Sequence, residues 1–341
     1  MPNESLIVCG AGGISGAWLP NIVTEGLSVR AVVDLKLESG QKLIDKYKLD
    51  GAKPYADLKQ ALADHAGECD FLLDLTIPDV HATVTCQALE AGLHVIGEKP
   101  MAATLEQARR MLETSTRTGK LYMCSQSRRW DSKHATVSNS VRHGPLGRIT
   151  TLNCDFFMGC HFGGFRDDMD SPLVLDMAIH HFDLARFFCG EDPVAVYCEE
   201  FNPHGSWYKG DVSAACLFEM TNGVRFWYRG SWCAEGMHTS WNGDWRIIGE
   251  RGTLIYANDQ DPVAEVVSED TADFSKPKHR PVIERVSVTH SAMHGGLMEM
   301  LRFLRTGEQP QTHAADNIKS LAMVLAAIKS SKSGKREKVE W

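Results

Sequence analysis

A chain of 341 residues is longer than one ordinary domain, and two domains are expected. Hydrophobic content of 43% and charged content of 23% set it among soluble globular proteins, away from disordered and fibrous classes. The net charge of −8, with no basic run except Lys329 to Lys338 near the end, argues against a nucleic-acid partner. No apolar run reaches membrane-spanning length. Met1-Pro-Asn-Glu leads directly into an apolar segment, so no export signal is read. Ten cysteines without Cys-x-x-Cys spacing are expected to be reduced, in a cytoplasmic protein.

The first element is the apolar run Leu6-Ile-Val-Cys9, a buried strand. Gly10-Ala-Gly-Gly-Ile-Ser-Gly16 follows, then a helical segment, then Val29-Arg-Ala-Val-Val33 ending in Asp34. Strand, glycine-rich turn, helix and a second strand with an acid at its tip form a dinucleotide-binding βαβ unit. Gly10 allows the tight turn, and Gly12 lets the backbone approach a pyrophosphate. Gly13, Ile14 and Ser15 open the helix, whose unpaired N–H groups favour an anion. The third fingerprint glycine falls at Ser15, a departure that a small side chain tolerates. Asp34 suits the ribose hydroxyls and repels a 2′-phosphate, which favours NAD. Lys36 could pair with such a phosphate or be a solvated loop cation, so NADP stays open.

Asp70-Phe-Leu-Leu-Asp-Leu75 is the next strand and ends in Thr76-Ile-Pro78. Val80 to Gly92 reads as a helix with a glycine stop. Val95-Ile96 reads as a short buried strand ending in Glu98-Lys99-Pro100. Proline cannot continue a ladder and keeps Lys99 out of a helix. Lys99 is therefore expected at the carboxyl end of a strand, where open α/β sheets bind ligands; a plain charged turn is the alternative. A helix from Thr104 to Thr118 carries a Thr104/Gln107 capping box, and Lys120-Leu-Tyr-Met-Cys124 is a further strand. The alternation predicts a doubly wound parallel sheet over residues 1–125.

Residues 126–341 read differently. Gly147 to Phe157, Pro193 to Glu200, Ala214 to Met220 and Val224 to Gly230 follow one another as strands. Asn222-Gly223 marks a hairpin between the last two. Without long helices between them, these strands suit an antiparallel sheet. The exception is Leu173 to Cys189, which has a helical apolar face. On it, Asp176 and His180 are four apart and are expected on one face, with Asp183 nearby. A self-satisfied His–Asp pair is the structural alternative. A metal site from His180, His181 and Asp176 is poor, because adjacent histidines diverge on a helix; no metal is expected.

These stations, in order, resemble the Gfo/Idh/MocA oxidoreductases, the relatives of glucose–fructose oxidoreductase and inositol 2-dehydrogenase. They are Gly10-Ala-Gly-Gly with Asp34, Thr76-Ile-Pro78 with His81, Gly92-Leu-His-Val-Ile-Gly-Glu-Lys-Pro100, Gln126-Ser-Arg-Arg-Trp130, Asp176-Met-Ala-Ile-His180 and Gly249-Glu-Arg-Gly-Thr-Leu254. The resemblance implies an N-terminal Rossmann domain. It also implies a C-terminal α/β domain with a large open, mostly antiparallel sheet that mediates a homodimer or homotetramer. It implies cofactor contacts at Thr76, Pro78, His81, Glu98 and Lys99, and a catalytic set of Lys99, Asp176 and His180.

In such a set, histidine titrates near neutrality and is the natural general base. Lys99 would stabilise the developing oxyanion, and Asp176 would orient the hydroxyl or His180. Arg129 and Trp130 are expected to face nicotinamide or substrate, although Arg128 and Arg129 could instead form an ion-pair cluster. Tryptophans at 207, 227, 232, 241 and 245 suit a sugar or cyclitol ring, or else fill the core. Trp241 among them, and His161 in the turn Gly159 to Gly164, are the further substrate candidates. The expected activity is NAD(P)-dependent oxidation of a secondary hydroxyl of a sugar, cyclitol or anhydrosugar. A cofactor-dependent glycosidase working through transient oxidation and a non-enzymatic nucleotide sensor are the alternatives.

Overall fold

The computed structural model describes residues 4–269 and 274–341. The Met1-Pro-Asn start read above lies outside them. The chain divides into two units: Met1–Ser127 with Thr289–Leu321, and Arg128–Val288 with Ala322–Trp341.

The first unit is built from β1 (Ser5–Cys9), α1 (Ser15–Thr24), β2 (Ser28–Val33), α2 (Leu37–Tyr47), β3 (Lys53–Tyr55), α3 (Leu58–His65), β4 (Phe71–Asp74), α4 (Pro78–Glu90), β5 (His94–Gly97), α5 (Leu105–Thr118) and β6 (Tyr122–Cys124). The six strands pair in parallel in the order β3-β2-β1-β4-β5-β6. This is the doubly wound order whose direction reverses between β1 and β4. Leu6, Ile7, Val8, Phe71, Leu72, Leu73, Val95 and Ile96 are fully buried. Continuous apolar strands are what a sheet covered on both faces requires. The Thr104 hydroxyl accepts from the Gln107 amide while the Gln107 side chain accepts from the Thr104 amide, so the capping box forms as read.

The second unit contains α6 (Ser132–His143), β7 (Ile149–Phe157), α7 (Ile179–Cys189), β8 (Pro193–Phe201), β9 (Ser213–Met220), β10 (Arg225–Ser231), β11 (Asp244–Gly249), β12 (Gly252–Tyr256), β13 (Val263–Val267) and β14 (Lys278–His279). Next in chain order come α8 (Ala292–Thr306), which belongs to the first unit, α9 (Ala314–Ser333), which begins in the first unit and ends in the second, and β15 (Glu337–Lys338) of the second. The sheet order is β14-β13-β12-β11-β7-β10-β9-β8-β15, with β7 and β10 parallel and every other pair antiparallel. This is the mostly antiparallel sheet expected. Asn222 (φ 54°) and Gly223 (φ 78°) make the turn between β9 and β10, in the left-handed region that an Asn-Gly hairpin needs.

Two expectations need correction. A single cut near residue 125 misses the return of Thr289–Leu321 to the first unit. There α8 packs on α1, and the Cys124 amide donates to the Thr312 carbonyl at 3.0 Å. Such pairings join residues far apart in sequence and leave no local mark. Leu173 to Cys189 is helical, but Leu173–Ala178 is a π-helix that passes into α7. The one-face argument for Asp176 and His180 assumes the α-helical period. Through i→i+5 bonding that period does not hold, so their relative direction is set by the π turn.

No helix among the described residues is long and apolar enough to cross a membrane. The ten cysteines, all among the described residues, form no disulfide.

Candidate active site

The carboxyl edge of the parallel sheet collects the first set of candidates. Gly10 ends β1 with φ 102°, and its amide donates to the Val33 carbonyl at 2.7 Å. A Cβ there would lie 2.6 Å from the Leu75 carbonyl oxygen, so only glycine fits between β1 and β4. Gly12 and Gly13 are the opposite case, since a Cβ on either would meet no protein atom within 4 Å. No side chain caps the N-terminus of α1, where Ile14 occupies the N-cap. An open backbone approach below an uncapped helix start fits a pyrophosphate. Ser15, in the third glycine position, is buried and donates its hydroxyl to the Gly12 carbonyl at 2.7 Å. The serine therefore fixes the loop that a third glycine would merely have accommodated.

Asp34 lies past the tip of β2. Its carboxylate accepts from the Ala11 amide at 2.9 Å and from the Lys36 amide at 2.9 Å. One carboxylate oxygen thus holds the glycine loop through Ala11 and the other holds the turn after β2 through Lys36, while further acceptor sites remain for a ligand hydroxyl. The Lys36 side chain is exposed.

Behind this edge lies a buried polar layer. Asp74, fully buried, accepts from the Thr76 amide and hydroxyl at 3.1 and 2.6 Å. Desolvation pushes its carboxyl up, and the neighbouring His81 and the Thr76 bonds oppose that shift. Pro78 takes the first turn of α4, where its missing N–H costs nothing. His81 is 1% exposed, with Nδ1 at 3.0 Å from the Pro100 carbonyl oxygen and Nε2 at 3.1 Å from that of Thr76. Both ring nitrogens face protein carbonyls, so His81 clamps two strand ends and offers no nitrogen to a cofactor. Glu98 is likewise turned inward. Its carboxylate accepts from Trp18 Nε1 at 2.7 Å and from the Lys99 amide at 3.2 Å, and burial pushes its pKa up. Both side chains thus support the loop that carries Lys99. Lys99 itself is two residues past β5, half-buried, before a cis bond to Pro100. That is the strand-end position expected of it.

The second set lies within the other unit. Asp176 sits in the π turn and accepts from Arg166 Nε at 2.7 Å. The Arg166 guanidinium also stacks over Phe162 and Phe165, at 5.1 and 4.7 Å from the ring centroids. Phe162 continues this aromatic group toward Trp232 and Trp241, at 5.1 and 6.3 Å. Trp241 is 44% exposed, in keeping with a ligand-facing ring, whereas Trp232 and Trp245 are buried core. Arg166 was not singled out by sequence reasoning. The signal that could have found it is Gly163-Gly164, both at positive φ, which turn the loop just before it.

His180 is half-buried in the first turn of α7. The adjacent His181 is fully buried, and desolvation, with Arg128 beside it, holds it well below the usual histidine range. His181 Nε2 accepts from Arg128 Nη1 at 3.2 Å. Arg128 has no carboxylate within ion-pair distance among the described residues, and burial lowers its pKa to about 10. Arg129 does the reverse, pairing through Nε and Nη2 with both oxygens of Asp183 at 2.8 and 2.7 Å. The Arg129 pair and Trp130 are nearly sealed from solvent. Arg129 and Trp130 are thus built into the interior, and the ion-pair alternative describes Arg129 while Arg128 holds the unneutralised charge. His161 is exposed, bonded to Glu235 at 2.7 Å and stacked on Trp207 at 3.7 Å.

Comparison with known proteins places these geometries in context. Residues 5–126 match the model of an oxidoreductase family with an NAD-binding Rossmann fold. Residues 134–255 match the GFO/IDH/MocA C-terminal domain. The protein y4oX of Sinorhizobium fredii is 27% identical over 351 aligned positions, covering 97% of this chain and 94% of that one. A 1,5-anhydro-D-fructose reductase of Ensifer adhaerens is 25% identical, covering 78% of each chain. Among solved structures, an oxidoreductase from Agrobacterium radiobacter, crystallised with NAD+, L-tartaric acid and magnesium, aligns with a TM-score of 0.84. It is 20% identical and covers 99% of this chain and 98% of that one.

Proposed function

Because this chain belongs to the Gfo/Idh/MocA family of NAD-binding oxidoreductases, we propose that it oxidises a secondary hydroxyl of a sugar, cyclitol or anhydrosugar, using Lys99, Asp176 and His180. The observation that carries this reading is the parallel sheet in its doubly wound order, which presents the open Gly12 backbone, Asp34 and the Lys99 loop along one edge. The Gly12 backbone and Asp34 would hold NAD, which would supply the hydride acceptor.

The residues of the chain do the rest. Lys99 holds the reacting oxygen and stabilises its negative charge as the proton leaves. His180 takes that proton, a step worth about 10²–10⁴-fold. Asp176, fixed by Arg166, orients the hydroxyl or His180. Arg128 supplies a desolvated fork of donors to a further oxygen of the substrate, and Trp241 offers an apolar face to its C–H groups. Asp34 favours NAD over NADP by repulsion of a 2′-phosphate. An anhydroketose reductase among the relatives supports a cyclic polyol as the substrate class.

The exposed face of the second sheet supports a homo-oligomer. Tyr197, Leu217, Trp227, Asn153, Arg246, Ile255 and Val263 lie in register across it. Tyr197, Trp227 and Val263 are each about half exposed, and exposed apolar side chains on one sheet face suit an association surface.

The test is NADH formation, with NADPH in parallel, over a panel of monosaccharides, cyclitols, anhydrosugars and aryl glycosides. A substrate-dependent rise with NAD is expected, and Lys99→Ala and His180→Ala should each lower turnover by about 10²-fold or more. Full turnover in both variants would overturn the catalytic assignment. Release of aglycone without net NADH would replace the dehydrogenase with a glycosidase.

A further inference from the structure

Three metal-binding side chains converge in the first unit, away from the glycine loop and from Lys99 in the sequence. Glu25 is the C-cap of α1. His290 lies just before the N-cap Ser291 of α8, and His294 is in the first turn of that helix. One ligand atom from each residue lies within 4.8 Å of the other two. His294 Nε2 is 2.7 Å from a Glu25 carboxylate oxygen, and the two imidazole centroids are 4.4 Å apart. All three side chains are partly accessible, so an ion can enter.

We propose that Glu25, His290 and His294 form a divalent-metal site of the Zn²⁺ class, with water completing the coordination. The proposal is independent of the dehydrogenase reading.

The chemistry of the donors selects the metal. Two imidazole nitrogens and one carboxylate suit zinc and its borderline neighbours, and three protein ligands plus water is a recurrent zinc arrangement. A hydrogen-bonded His–Glu pair alone would explain Glu25 and His294. It does not explain His290, whose ring has no hydrogen-bond partner among the described residues and is brought against the His294 ring instead. The chain reaches this arrangement through Ala292 at φ 52°, a left-handed conformation that a non-glycine residue adopts at a cost.

Electrostatics support a cation. Glu25 is anionic, and the carbonyl end of α1 adds partial negative charge at the same place. The start of α8 opposes this with its exposed amides. The nearby cation Arg305 is already paired with Glu4 at 2.6 Å. Metal binding would replace the direct His294–Glu25 contact with bonds from both side chains to the ion. It would also tie α8 to α1, fastening the returning segment Thr289–Leu321 to the nucleotide-binding sheet.

The experiment is a Zn²⁺ titration of the chelator-stripped full-length protein, followed by calorimetry and thermal melting, with Co²⁺ absorption as a second probe. A single equivalent should bind and raise Tm. His290→Ala and Glu25→Gln should each weaken binding by about tenfold or more. His290→Ala keeps the His294–Glu25 bond, so its metal-free Tm should match the wild type. Co²⁺ should give visible bands of a nitrogen and oxygen site without thiolate charge transfer. No binding, unchanged affinity in His290→Ala, or a thiolate band from the cysteines would each overturn the site.

Discussion

The two units hold their functional groups by opposite means. Along the parallel sheet, backbone geometry does the positioning. Gly10, Asp34, Thr76 and Lys99 each follow a strand end by one or two residues, and parallel register fixes them relative to one another. In the second unit, charged side chains do it. Asp176 is held by Arg166, Asp183 by Arg129, and His181 by Arg128. Where the backbone positions a reactive side chain such as that of Lys99, changing that side chain alters chemistry and spares the fold. Where an ion pair positions it, changing one partner disturbs both.

The largest effect should come from the sealed pair. Arg129→Ala removes both short bonds to the buried Asp183, and Arg186 stands farther off at 3.9 Å. A loss of about 3–5 kcal/mol is expected from denaturant unfolding. A loss under about 1 kcal/mol would mean that the pair is not desolvated.

The glycine loop should then separate fold from binding. Gly10→Ala forces a Cβ onto the Leu75 carbonyl at an unfavourable φ and should destabilise by about 1–3 kcal/mol. Gly12→Val should leave the melting temperature unchanged, since its side chain enters open space, and yet weaken NAD binding measured by fluorescence quenching. Equal destabilisation by both would break the argument that the backbone at Gly12 is reserved for a ligand.

A titrating group in the second unit gives a pH test. Burial raises the Glu200 pKa from 4.5 to about 7, with the Ser171 hydroxyl opposing the shift. A folded-state pKa above the unfolded value stabilises the protein fully below about pH 4.5, and this contribution is lost as pH rises through about 7. Wild-type unfolding free energy should therefore carry a downward component across that window. Glu200→Gln should remove that component, and identical pH profiles would refute the assignment.

The smallest effect is local. Thr104→Ala removes the cap of α5 and should cost about 1 kcal/mol, with cofactor binding intact. A change in NAD affinity would show that α5 communicates with the glycine loop.

Legibility in the sequence follows the same division. The strand before Gly10, the capping box at Thr104 and the hairpin at Asn222-Gly223 are written in contiguous residues and could be read there. Lys99 was placed by the proline behind it. The side chains of His81 and Glu98 turn inward onto Thr76, Pro100 and Trp18, partners that no local pattern announces. The partner of Arg129 lies 54 residues away and that of Asp176 ten residues away, so neither pairing shows as a pattern.

The sequence by itself determined the alternation of strands and helices, the glycine turn, the change from parallel to antiparallel pairing and the strand-end lysine. Periodicity, glycine and proline act over a few residues, and each of these features is local. Only the tertiary structure decided that Thr289–Leu321 returns to the first unit, that a π turn sets the direction of Asp176, and which arginine keeps its charge. Those depend on burial and on contacts between distant segments, where desolvation, and not residue type, settles what a polar side chain is free to do.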